Sequence, residues 1–172
     1  MDPQLQTLRQ AIASAIDGLT TEQMNWHPPG KWCTAEVLEH LYLTYTGTTK
    51  GFSRVDEAGK PLATRATWVH RGRALVVTGL GYYPSGRQAP AAARPRGLPQ
   101  DTVRGEILAR IFEMDNVIGR CEEKFGARHK LLDHPILGPL NTRQWKKFHL
   151  LHGLHHVKQI RQLRESAGAS FR

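Results

Sequence analysis

The segment from Phe148 to Ile160 places four of the chain's nine histidines within thirteen residues of helical sequence. A helix turns about 100° per residue, so His152 and His156 lie one turn apart on the same side. The side chains expected on that side are mostly large: Trp145, Phe148, Gln159 and Leu163. This side therefore faces the interior, where an i, i+4 pair of imidazoles is either a metal-chelating pair or a pair of packed core histidines.

A second predicted helix brings a further imidazole to an inward face. Val37, Leu41 and Thr44 share one side of this helix, and His40 falls within the same arc. His40 is therefore the candidate for a third inward imidazole. Thr34 is the expected N-cap, and a cysteine before it imitates a capping box with a glutamate three residues on.

Four segments have the apolar periodicity of amphipathic helices. They are residues 4–18, Thr34 to between Thr48 and Phe52, Asp101 to Gly126, and Thr142 to about Glu165. Asp101 is the expected cap of the third segment, and the Asn-Thr pair at 141–142 that of the fourth. The pattern predicts an all-α chain, a four-helix bundle in which residues 1–172 form a single domain.

A long insertion, about residues 53–100, separates the second and third of these helices. Within it, residues 68–77 have the pattern of a short helix or a strand, and we favour a helix because no partner strand is evident. Residues 79–99 are rich in glycine, proline, alanine and arginine, which predicts an irregular connection. We also expect a loop over residues 129–140.

The final helix carries a second apolar strip, roughly opposite the histidines, at Leu150, Leu154 and Val157. A helix that is apolar on two sides needs another segment packed against each of them. We expect the second apolar side to pack against either the 60–100 segment or another subunit, which would make a homodimer.

Apolar runs, the first residues and the cysteine content bear on where in the cell the protein is expected. No apolar run approaches the roughly 20 residues that span a bilayer, and the first residues lack the pattern of a signal peptide. We therefore expect a cytoplasmic protein without membrane association. Cys33 and Cys121 are too few for a disulfide framework, and Cys121 has the position of a small apolar core residue.

The formal net charge of +9 raises the question of a nucleic-acid partner. The basic residues are dispersed along the chain, however, and no nucleic-acid-binding motif accompanies them. A soluble basic surface, or a basic cleft for an anionic small molecule, explains the charge equally well. We expect nucleic acid not to be the partner.

Two motifs resemble the DinB/YfiT-like superfamily. Residues 26–33, Trp-x-Pro-x-Gly-Lys-Trp-Cys, lead into Glu-Val-Leu-Glu-His-Leu at 36–41, which is similar to that superfamily's entry into helix 2. Residues 152–160, His-Gly-Leu-His-His-Val-Lys-Gln-Ile, are similar to its last-helix signature. The sequence departs from the pattern at Cys33, where serine is common, and residues 53–100 have no counterpart.

The resemblance implies an up-down-down-up four-helix bundle with one divalent metal ion, zinc or nickel. Its ligands fall on His40, His152 and His156 of this sequence. His155 then has a structural role beside the site. Gln159, one turn beyond His156, is positioned to orient a ligand or a bound water.

Three imidazoles leave a metal ion with an open position, an arrangement typical of catalysis. Bound water would hydrolyse a substrate, whereas a bound low-molecular-weight thiol would attack an electrophile. Similar proteins include thiol S-transferases and a mycothiol-dependent maleylpyruvate isomerase, which favours thiol chemistry. The alternative is a bundle that binds a metal or a small molecule without turnover.

The catalytic acid or base stays unassigned by the sequence. Glu36 and Glu39 are the carboxylates nearest to His40, and neither is an obvious inward group. We single out His149 as a titratable group close to the site, with an ordinary packed or exposed histidine as the alternative. The aromatic side chains that would line a pocket, or else belong to the core, are Tyr42, Tyr45 and Trp145.

Overall fold

The computed structural model describes residues 1–79 and 88–170. The helices in these ranges are α1 (Pro3–Ile16), α2 (Thr21–Asn25), α3 (Thr34–Ala58), α4 (Trp68–Ala74), α5 (Gln100–Phe125) and α6 (Thr142–Ser170). Two short strands, β1 (Leu132–His134) and β2 (Gly138–Leu140), form one antiparallel sheet. The described chain is thus mostly helical, and the predicted all-α class is confirmed.

The four long helices pack in two principal pairs, α3 along α5 and α1 along α6. Their apolar stripes meet in one buried cluster, as the periodicity predicts. Members of that cluster from the four helices include Leu5, Leu8, Ile12, Leu41, Phe52, Ile107, Ile111, Ile118 and Ile160. Cys121 is fully buried among them and is a core residue, as expected.

The α3 start carries the predicted capping box, with its N-cap one residue earlier than expected. The Cys33 Sγ accepts a hydrogen bond from the Glu36 N–H at 3.5 Å, and Glu36 Oε2 accepts from the Cys33 N–H at 2.8 Å. Cys33 is therefore the N-cap, and Thr34 is the first helical residue. The α6 start is closed by Asn141 and Gln144 in the same reciprocal way.

Boundaries of α3, α5 and α6 differ from the prediction, and α1 ends at Ile16 rather than at 18. α3 continues to Ala58, beyond the predicted end between 48 and 52, because Phe52 and Val55 extend its buried stripe. It ends at Gly59, which has φ +63°. α5 begins at Gln100 with Pro99 as its N-cap, so Asp101 is not the cap. α6 runs five residues beyond 165.

The region between α3 and α5 is more ordered than the predicted irregular insertion. The favoured helix at 68–77 is confirmed as α4, which continues into a π-helical turn, Leu75–Gly79. Ala91–Ala93 form a short 3-10 turn, and part of the predicted irregular stretch, residues 80–87, lies outside the described residues. The predicted start of the insertion at 53 is wrong, because α3 occupies residues through 58.

The predicted loop at 129–140 contains the β1–β2 hairpin, which the sequence pattern did not predict. Leu132 pairs with Leu140, and His134 pairs with Gly138. The His134 Nδ1 closes the turn by accepting the N–H groups of Ile136 and Leu137, at 3.1 and 3.2 Å. Strands of three residues are too short to give a recognisable period-2 pattern in the sequence.

α1 packs closely against α6 at Gly153. A Cβ at Gly153 would overlap the Leu8 side chain, so glycine permits this close approach. Of the second apolar strip, Val157 is buried, whereas Leu154 is 37% exposed. The homodimer stays a prediction.

None of the helices within the described ranges is long and apolar enough to cross a membrane.

Candidate metal centre

Three imidazoles from two helices converge on one point. The His152 Nε2 lies 3.1 Å from the His40 Nε2 and 3.1 Å from the His156 Nε2. All three side chains are buried, and the three ligand atoms lie within 4.8 Å of one another. The structure thus brings the predicted pair on α6 together with the predicted third histidine on α3.

The spacing suits a metal ion bound by histidine. Zinc–nitrogen bonds of about 2.0–2.1 Å at tetrahedral angles separate two ligand nitrogens by roughly 3.3–3.4 Å. The observed separations of 3.1 Å need only a small outward movement of the rings. The donor set of the site therefore fits zinc or a similar divalent cation.

Hydrogen bonds on the far side of two rings settle where their protons are. The His40 Nδ1 donates to the Ala93 carbonyl at 2.7 Å, and the His156 Nδ1 donates to the Gln159 Oε1 at 3.0 Å. A carbonyl oxygen only accepts, so each neutral ring holds its proton on Nδ1 and presents a bare lone pair on Nε2.

With these tautomers, the Nε2 atoms of His40 and His156 are both hydrogen-bond acceptors that face the His152 Nε2. The His152 Nε2 contacts two lone pairs, yet a neutral imidazole nitrogen carries at most one proton. The two 3.1 Å contacts of His152 therefore have at most one proton between them. A cation at the centre of the three nitrogens would bind the lone pairs of His40 and His156, and that of His152 when its proton is on Nδ1.

Burial keeps the three rings neutral. It lowers the pKa of His40, lowers that of His156 to about 3, and holds that of His152 well below the ordinary value of 6.5. Neutral imidazole is the form that binds a metal ion, so protons compete weakly for these ligands near pH 7.

Aromatic rings fix the orientation of the ligands. The Phe148 ring stacks on His152, with 5.2 Å between centroids and 11° between planes. The Trp32 ring lies 5.4 Å from that of His40. Trp32 comes from the segment before α3, so that segment also shapes the site.

A cavity of about 680 Å³ opens beside the three histidines, and all three line it. One helical face of α3 forms a wall, from His40 past Gly47 and Gly51 to Arg54. α6, the β1–β2 hairpin, α4 and the turn around Ala93 contribute further walls. The volume is that of a small-molecule site.

A sequence profile of a family described as "Protein of unknown function (DUF1569)" matches residues 1–163. The chain belongs to the DUF1569 family. The match spans the whole of α3 and the part of α6 that carries the histidines. Comparison of this DUF1569 chain with curated proteins and with solved structures finds no match.

Glu39, which the sequence did not mark as an inward group, is a positioning residue. It is 4% exposed, and its carboxylate accepts the N–H groups of Arg96 at 2.8 Å and of Gly97 at 3.1 Å. These bonds hold the chain that returns from the insertion against α3, which places the Ala93 carbonyl at His40. Because Glu36 is engaged in the cap, neither carboxylate is directed at the site.

His149 is fully buried on the core side of His152. Its Nε2 contacts the Thr48 Oγ1 at 3.1 Å, and its ring stacks on Trp145. Burial lowers its pKa to about 3, so the ring is neutral at physiological pH. His149 is not among the described residues that line the cavity.

The other predicted pocket residues divide between cavity and core. Trp145 and His155 line the cavity, and the His155 ring lies 5.2 Å from that of His156. His155 does not join the group of three ligand atoms. Tyr45 is fully buried in the core, and the Tyr42 hydroxyl donates to a Glu106 carboxylate outside the cavity.

Proposed function

We propose that this chain is a divalent-metal-dependent enzyme with the up-down-down-up four-helix bundle of the DinB/YfiT-like superfamily. His40, His152 and His156 would hold the ion, and a thiol-dependent transfer reaction is our first candidate. The observation that carries the proposal is the convergence of three Nε2 atoms at the wall of a cavity, with two Nδ1 protons committed elsewhere.

A bound zinc or nickel ion would supply an open coordination position that acidifies a water molecule or a low-molecular-weight thiol. The chain's own residues prepare that position. Ala93 and Gln159 fix the tautomers of His40 and His156. Phe148 and Trp32 exclude water from the ligand rings, since both pack against them.

Thiol transfer is favoured by the side chains around the cavity. Asp133 is the described lining residue with a carboxylate, and its Oδ1 accepts the N–H of Thr64 at 3.0 Å. Hydrolysis at a metal site commonly uses a carboxylate as general base, as in the zinc-protease helix. A thiol bound as thiolate is already deprotonated and needs no such base.

His155 supports hydrolysis as a second candidate. Its ring lines the cavity beside His156, and burial together with Lys158 lowers its pKa, so it is unprotonated at neutral pH. An unprotonated imidazole can accept a proton from water.

Metal analysis of the purified protein is the first test. We expect one zinc or nickel ion per chain, and loss of most of it in His40→Gln and in His152→Gln. Full metal content in His40→Gln would refute the ligand set. His129→Gln is the matched control, since that exposed histidine lies far from the site in the chain.

Activity assays then separate the candidates. We expect the metal-loaded protein to conjugate a chromogenic electrophile with bacillithiol, mycothiol or glutathione, and the His40→Gln variant not to do so. Turnover of a nitrophenyl ester without thiol, abolished in His155→Gln, would favour hydrolysis. Metal binding without either activity would leave a binding protein.

A further inference from the structure

A second polar site lies at the tip of the β1–β2 hairpin, on the cavity wall. His134 is 8% exposed and lines the cavity. Its Nδ1 accepts two backbone N–H groups of the turn, at 3.1 and 3.2 Å. The ring proton therefore resides on Nε2, for which no described residue supplies an acceptor.

His134 is a fixed neutral donor. Its ring packs 4.3 Å from Phe148, and Phe148 stacks at 5.2 Å on His152, so two ring contacts connect it to the metal ligands. Burial also lowers its pKa to about 4, consistent with a neutral ring.

A cationic side chain, that of Arg73, contacts the same turn as His134. The Arg73 Nη1 donates to the Ile136 carbonyl at 3.4 Å, and the N–H of the same Ile136 donates to His134. Arg73 lines the cavity, and within the described ranges no carboxylate pairs with it. Asp133 also lines the cavity, and its Oδ1 accepts the Thr64 N–H at 3.0 Å.

We propose that His134 and Arg73 form a subsite for a single carboxylate of the substrate, with the apolar cavity holding the substrate's body. This inference rests on the proposed function, because the three histidines would hold the reacting end. One guanidinium and one neutral N–H match one negative charge and two acceptor oxygens. The substrate class is thus an apolar organic monoanion rather than a phosphate ester.

Thiol acids of graded length test the subsite in the cobalt-loaded protein. Mercaptoacetate through 8-mercaptooctanoate would each place a thiol at the metal, detected by the thiolate-to-cobalt absorption band. We expect an optimum at an intermediate length, at which the acid binds about tenfold or more tightly than the mercaptoalcohol of equal length, since hydrogen bonds between charged groups are strong.

Two variants localise the effect. His134→Asn keeps an acceptor for the turn and removes the remote donor, whereas Arg73→Gln removes the exposed cation without touching the core. Each is expected to reduce the preference for the acid at least threefold. Arg71→Gln, on the same helix but outside the cavity, should retain it.

Several results would overturn the proposal. Acids and alcohols binding equally in the wild type would exclude a carboxylate subsite. An unchanged preference in both Arg73→Gln and His134→Asn would exclude these residues. Loss in Arg54→Gln instead would move the anion to the other end of the α3 wall, roughly 21 Å from His40 at 1.5 Å per residue.

Failure of the proposed metal site can be distinguished from failure of the carboxylate subsite. If cobalt gives no spectrum that depends on the three histidines, the metal proposal fails. The subsite is then tested by ligand-observed NMR with 4-phenylbutanoate and its neutral amide on the same variants. Preference for the acid that requires His134 and Arg73 would sustain the subsite, and equal binding would refute it.

Discussion

Replacing Gln159 with leucine should weaken metal binding while preserving the fold. The Gln159 Oε1 is the acceptor that holds the proton of His156 on Nδ1, at 3.0 Å. Partners of this kind contribute about 10–100-fold to metal affinity, or about 1.4–2.7 kcal/mol. Gln159 is half-buried, so water can replace part of its function. We therefore expect a loss of about tenfold, at the lower end of that range.

A competition titration against a chromophoric zinc chelator at pH 7 measures this loss as a dissociation constant. Leucine resembles glutamine in size and helix propensity, so the metal-free variant should unfold at the wild-type temperature. Equal stability without metal, together with weaker binding, separates an orienting role from a structural one.

Two further variants make the test specific. Gln162→Leu changes the same residue type on an exposed position of α6 and should bind zinc as the wild type does. Gln159→Glu retains an acceptor for the His156 proton and should restore the affinity. The reasoning is refuted if Gln159→Leu binds zinc with wild-type affinity, or if Gln162→Leu weakens binding equally.

Three other predictions concern stability. Zinc at 100 times its dissociation constant should stabilise the protein by about 2.7 kcal/mol, which raises the melting temperature by roughly 5–10 °C. Calorimetry should show this rise in melting temperature for His155→Gln and not for His40→Gln. Burial lowers the pKa of His149 to about 3, so as the pH falls below 6.5 the unfolded state takes up a proton that the folded state does not. The free energy of unfolding lost through this group between pH 7 and 5.5 is about 1.2 kcal/mol. Denaturant titrations with chelator present should show that His149→Gln loses less stability over this pH range, by that amount. Gly153→Ala should lower the free energy of unfolding by about 1–3 kcal/mol, because the added methyl overlaps a leucine of α1. Gly119→Ala is the control, since its methyl meets nothing within 4 Å. Denaturation of that variant should show unchanged or greater stability.

Local sequence alone predicted a substantial part of the site. The i, i+4 spacing places His152 and His156 on one face of any helix, and the apolar stripe of α3 places His40 inward. The same spacing put Gln159 one turn from His156, where the hydrogen bond is found. The capping box at Cys33 was likewise legible, because its two bonds join residues three apart.

Contacts between distant segments decided the remainder. The Ala93 carbonyl reaches His40 across 53 residues, held there by the bonds from Arg96 and Gly97 to Glu39. No periodicity in a glycine- and proline-rich connection encodes where it returns to the helices. The short hairpin that presents His134 was not predicted, since its three-residue strands carry no recognisable period-2 pattern.

The helical pattern therefore determined which residues can point inward, because that depends only on the 3.6-residue turn. The tertiary structure decided which inward residues meet, how their protons are arranged, and that a cavity lies beside them. Those properties depend on the packing of α3, α6 and the hairpin against one another, and no single segment of the sequence contains that information.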